Sequence, residues 1–142
     1  MFLDASVIVA ILKPEADAEE QMRRLDEAGG PFFVSPIVKM EAVLSLARAK
    51  TESGTRSSRP TVEILRMAGL AVDQFIDAVS ADEISISPQI GIFARDAAAS
   101  YGKIVGHKAK LNLGDCFAYA CAKASGLKIA YKGGDFIHTD LG

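Results

Sequence analysis

Four acidic residues, Asp4, Glu41, Asp115 and Asp135, stand at points of this chain where a carboxylate could do chemistry. Carboxylates brought together without compensation repel, and each raises the pKa of the next. A hard divalent cation removes that conflict. Mg²⁺ and Mn²⁺ prefer oxygen ligands, and such an ion activates water and offsets charge on a leaving oxygen, which suits hydrolysis of a phosphodiester. No Cys or His cluster in the sequence has zinc spacing.

The elements that must position these acids can be read locally. Asn112 is a good N-cap, the run Leu113–Ser125 is rich in Ala, Leu and Phe, and Gly126 ends it, so Asp115 falls in the first turn of a helix. The plain account of an acid there is attraction to the positive end of the helix dipole and a bond back to the cap. Phe2-Leu3 forms a short strand, and Ala5–Leu12, apolar almost all round, forms a short buried helix. Asp4 therefore sits at the carboxyl end of a strand, where open α/β sheets bind ligands, and is also a plain helix cap. Ser6 either steadies Asp4 or caps the same helix.

Ser35-Pro36 starts a helix that runs to about Lys50, with Ile37, Glu41, Leu44 and Arg48 on one stripe. Glu41 thus rides between core-like residues, and its plain account is a carboxylate at the core edge, snorkelling or paired with Arg48. Lys132-Gly133-Gly134-Asp135-Phe136 turns away from a last strand, Lys128–Tyr131, and there Asp135 reads equally as an Asx-turn residue.

Glu15–Ala28 has the rhythm of a solvated amphipathic helix stopped by Gly29-Gly30-Pro31, and Phe32–Val34 reads as a strand. Glu52–Pro60 is a polar loop or mobile arm. Thr61–Ser80 is helical, with apolar coverage broad enough for the core or a second subunit. Asp82–Ser87 alternates as a half-exposed strand, and Ser87-Pro88 opens a helix to Tyr101 on which Asp96 faces solvent. Gly102–Lys110 is a basic loop in which His107 makes a polar contact or serves as a ligand or acid–base group. Strands and helices alternate, which predicts an α/β fold: a central parallel sheet with helices on both faces, whose right-handed crossovers bring Asp4, Ser35 and Lys132 to one edge.

At 142 residues the chain fits one domain spanning 1–142. Its 49% apolar content and net charge of −2 describe an ordinary soluble protein. No apolar run approaches the ~18 residues of a membrane span, so a cytoplasmic location is expected and a membrane partner is not. Cys116 and Cys121 point to different sides of one helix and are packing residues. Between Tyr101 and Lys132 the lysines 103, 108, 110, 123, 128 and 132 surround the single acid Asp115, a distribution that invites a polyanion.

Phe2-Leu3-Asp4-Ala5-Ser6, Glu41, Asn112-Leu113-Gly114-Asp115-Cys116 and Lys132-Gly133-Gly134-Asp135-Phe136 together resemble the PIN-domain ribonucleases of the VapC toxin type. The resemblance implies a PIN-like fold and a Mg²⁺- or Mn²⁺-dependent endoribonuclease acting on RNA. It also implies a homodimer neutralised by a VapB-type antitoxin. By position, Asp4, Glu41 and Asp115 match the family's first three acids. Asp4 and Asp115 would ligate the metal, with Glu41 acting through water. Many PIN domains carry the fourth acid where this chain has Gly133, so Asp135 ligates through water or braces the turn. Lys108, Lys110 and Lys132 are expected near RNA phosphates.

Three other readings fit parts of the pattern. A haloacid-dehalogenase-type phosphatase needs a second Asp where this chain has Ser6. A receiver domain needs an Asp at the end of its central strand, and neither Val34-Ser35 nor Ile86-Ser87 offers one. A non-catalytic PIN-like RNA- or protein-binding module would use the acids as caps and bind no metal.

Overall fold

The computed structural model describes residues 1–13, 16–52 and 59–142, with the Glu52 side chain excepted. The elements run β1 (Phe2–Leu3), α1 (Ala5–Leu12), α2 (Ala18–Ala28), β2 (Phe33–Val34), α3 (Pro36–Glu52), α4 (Val62–Ala78), β3 (Asp82–Glu83), α5 (Pro88–Tyr101), a 3₁₀ turn (Lys103–Val105), α6 (Leu113–Ser125) and β4 (Ile129–Ala130). The loop expected over 52–60 falls largely outside the described residues, as does the expected start of α2 at Glu15.

The four described strands form one parallel sheet in the order β3-β2-β1-β4. Such a sheet must be covered by its crossover helices, and β1 accordingly lies in the core, with Phe2 and Leu3 fully buried. The chain moves outward from β1 through β2 to β3, then returns through α5 and α6 to place β4 on the other side of β1. That reversal puts the topological switch point at the carboxyl ends of β1 and β4, where open α/β sheets take ligands. Asp4 and Lys132 stand there.

Capping sets the helix ends. The Ser35 Oγ accepts from the Val38 N–H, Ser87 Oγ from Ile90 N–H and Thr61 Oγ1 from Ile64 N–H. Gly29 and Gly126 take the left-handed conformation past α2 and α6. The core also draws on Val7 and Ile8 of α1, Val38 and Ala42 of α3, Val72 of α4 and Ala118–Ala122 of α6. Cys116 and Cys121 are both buried free thiols.

The strand expected over 82–87 is shorter than its alternation suggests. Only Asp82 and Glu83 pair with β2, because β3 is an edge and the chain leaves it for the Ser87 cap. On α4 the expected broad burial is one-sided: Ala68, Val72, Phe75 and Ile76 are buried, whereas Val62, Met67 and Leu70 are exposed. No described helix is long and apolar enough to cross a membrane.

Candidate active site

Asp4 leaves the end of β1 with its backbone N–H bonded to the Ala130 carbonyl of β4 at 2.9 Å. Its Oδ2 accepts from the Ser6 N–H at 2.9 Å and from the Ser6 hydroxyl at 2.5 Å. The other oxygen, Oδ1, is buried without a hydrogen-bond partner. The cap reading and the site reading therefore use different oxygens of one carboxylate. Ser6 has a further tie, since its Oγ accepts from the Lys132 backbone N–H at 2.9 Å.

Asp115 also serves as part of a helix cap. Its N–H donates to Asn112 Oδ1 at 3.1 Å, and the Asn112 N–H donates to Asp115 Oδ2 at 2.8 Å, completing a capping box. The carboxylate nonetheless feels the charges of Asp4 and Asp135.

Glu41 departs from its plain account. Its Oε2 is buried with no partner, and among the described residues it makes no ion pair with Arg48. Nor is its stripe a core stripe: Ile37, Glu41, Leu44 and Arg48 line an open groove of about 550 Å³ together with Met40, Leu113 and Gly114. The core side of α3 is carried by Val38, Ala42 and Leu46 instead. Periodicity places residues on one face without saying which face is covered.

One residue of the site went unassigned in the sequence. A Cβ built on Gly114 would lie 2.0 Å from Glu41 Oε2 and 2.6 Å from its Cδ, so the Glu41 carboxylate occupies the space a side chain would take. The signal was available, because glycine in the first turn of a helix costs about 1 kcal/mol relative to alanine and wants a reason.

Asp135 lies on the exposed turn after β4, and its charge acts on both Asp4 and Asp115. Lys108 and Lys110 are exposed beside the start of α6. Lys132 differs from them: its ammonium bonds Asp17 Oδ1 at 2.8 Å. His107 makes a polar contact, its Nδ1 accepting from the Ala109 N–H at 3.1 Å while its ring meets the Tyr101 ring edge-on.

Asp4, Glu41 and Asp115 lie near enough for their charges to act on one another. Burial raises the Asp4 carboxyl, against the opposing Ser6 bonds and with help from Asp135. Burial first, then the charges of Asp4 and Asp115, pushes Glu41 up to about 7. Burial likewise pushes Asp115 up to about 6, against the Asn112 bond and with help from Asp4 and Asp135. One consequence follows for the ion-free protein. Between the ordinary carboxylate range and about pH 7 the folded state keeps protons that the unfolded chain has released, so stability falls as pH rises through that window. Chemical denaturation at pH 5 and pH 8 in EDTA should show the protein more stable at pH 5, and Mg²⁺ should narrow the difference by raising stability at pH 8.

The donor chemistry fits a hard cation. It is all oxygen, and two of the oxygens, Asp4 Oδ1 and Glu41 Oε2, are buried and unpartnered. Among the described residues no three His, Cys, Asp or Glu side chains are spaced as a ready metal cage. A partial carboxylate set suits an ion that keeps several waters, as Mg²⁺ does.

The family model described as PIN domain matches residues 1–141. A VapC ribonuclease of Rhizobium meliloti (strain 1021) is 50% identical over 141 residues, covering 99% of either chain. Ribonuclease VapC42 of Mycobacterium tuberculosis (strain H37Rv) is 32% identical over 145 residues, covering 99% of this chain and 96% of its own. Among solved structures, M. tuberculosis VapC20, described as a sarcin-ricin loop cleaving toxin, matches with a TM-score of 0.71 at 14% identity, covering 99% of this chain and 95% of its own. A chain of a toxin–antitoxin complex from Klebsiella pneumoniae matches with a TM-score of 0.58 at 18% identity, covering 98% and 92%. At those identities the two structures speak for the fold, and the sequence matches speak for the family. The chain belongs to the PIN-domain family and, within it, to the VapC ribonucleases.

Proposed function

We propose that this protein is a Mg²⁺- or Mn²⁺-dependent endoribonuclease toxin, with Asp4 and Asp115 as metal ligands, and Glu41 and Asp135 acting on the ion through water. The observation that carries the site assignment is Glu41 of α3 seated against the bare backbone of Gly114 in α6, within reach of the charges of Asp4 at the end of β1 and of Asp115. The reaction class comes from the VapC ribonucleases that the chain matches along its whole length.

Bound there, the ion would supply an activated water nucleophile and offset charge on the scissile phosphate. The protein's own part is orientation. Ser6 holds Asp4 Oδ2 and leaves Oδ1 buried without a partner, and the capping box holds Asp115 Oδ2. Asp4 Oδ1, which accepts from no protein donor, is the oxygen left for the ion, and Glu41 Oε2, likewise unpartnered, would accept from water in the site and align it. Exposed Lys108 and Lys110 would hold flanking phosphates, with an affinity that falls as salt rises.

A VapB-type antitoxin is the expected protein partner, since one structural neighbour was solved as a toxin–antitoxin complex. A homodimer belongs to the same reading, supported by the exposed Val62, Met67 and Leu70 of α4. Purified, antitoxin-free protein should cut cellular RNA into discrete fragments with Mn²⁺ or Mg²⁺ and should leave it intact in EDTA. Folded protein that cuts no RNA and binds neither ion would instead select the non-catalytic RNA- or protein-binding module.

A further inference from the structure

The Asp4 carboxylate is held by a residue that is itself held. The Ser6 hydroxyl has one proton, directed at Asp4 Oδ2, so the Lys132 N–H at 2.9 Å must meet an oxygen lone pair. The side chain of the same lysine crosses to Asp17 Oδ1 at 2.8 Å. Asp17 sits at the N-cap position of α2, and its other oxygen accepts from Nε2 of Gln21 at 3.2 Å. Gln21 is buried, which gives Asp17 a fixed seat. Lys132 is also the first residue of the turn that carries Asp135.

We propose that Asp17 is a positioning residue for the active site: through Lys132 it fixes the turn after β4, and with it the Ser6 hydroxyl, the Asp4 carboxylate and the base of Asp135. Both partners of the pair are 34% exposed, so the bond contributes little to folding. Its value lies in where it acts. One residue joins the start of α2 to the backbone donor that orients Ser6, and a misplacement of ~1 Å at a catalytic group costs up to ~10²-fold in rate.

The test has one arm that needs no activity. Amide hydrogen exchange of the ion-free protein should show the Lys132 N–H losing protection by roughly tenfold in Asp17→Asn, with α6 amides unchanged. Unchanged protection at Lys132 would overturn the proposal, as would a loss spread over the whole chain. The second arm rests on the ribonuclease reading. There Asp17→Asn should lower kcat by about tenfold with KM for RNA unchanged, the size typical of an outer-shell partner. Asp17→Glu should restore most of the rate, and Asp17→Lys combined with Lys132→Asp should restore part of what either change removes. A raised KM on Lys132→Met with no rescue by the exchange would give Lys132 to the substrate and overturn the proposal. A native protein that shows the exchange effect but cuts no RNA would support the positioning role and contradict the ribonuclease reading.

Discussion

Asp115→Asn is expected to fold as the native chain does and to lose RNA cleavage by at least ~10²-fold, beyond the ~10–100-fold that outer-shell partners account for. The amide oxygen of asparagine can still accept from the Asn112 N–H, so the capping box that starts α6 survives the change. What is lost is the negative charge that shares the site with Asp4 and Glu41. The same loss relieves repulsion, and ion-free Asp115→Asn should therefore be more stable than the native protein at pH 8. Mg²⁺ should stabilise it less. A variant that is destabilised and still active would reduce Asp115 to a capping residue.

Gly114→Ala is expected to lower cleavage by about 10–100-fold while changing stability by no more than ~1 kcal/mol. The new Cβ would lie 2.0 Å from Glu41 Oε2 and 2.7 Å from Oε1, contacts that force the carboxylate away. Because the displaced atoms end a flexible side chain, the fold accommodates the change and the site does not. Gly69→Ala is the matched control. It lies within α4 with nothing within 4 Å of its built Cβ, so it should stabilise the protein by about 0.5–1 kcal/mol and leave cleavage untouched. Thermal denaturation and single-turnover cleavage of the two variants separate propensity from crowding.

These effects also mark what could be read before the fold was known. Asn112, Gly126 and the two Ser-Pro starts are local signals, and they placed α6, α3 and α5 to within a residue or two. The fold class followed from alternation, because parallel strands need helical crossovers. Local signals fail where the cause lies elsewhere in the chain. Ile37, Leu44 and Arg48 share a stripe with Glu41, yet that stripe faces a groove, because Val38, Ala42 and Leu46 already fill the core side of α3. Lys132 read as a cation for RNA, and its pairing with Asp17 depends on a contact across 115 positions of sequence. Gly114 lay inside the motif that carried the family resemblance, but its role requires the partner on α3. Pattern thus singled out the acids as candidates, and packing supplied the reason their neighbours are glycine and serine.

The central claim is that Asp4, Glu41 and Asp115 are the seat of a divalent cation, and Mn²⁺ soaked into crystals of the protein tests it most directly through anomalous scattering. The account predicts one strong peak or more among these carboxylates in contact with Asp4 and Asp115, absent from crystals of Asp115→Asn. No peak there at saturating Mn²⁺, or an equal peak in the variant, would contradict it.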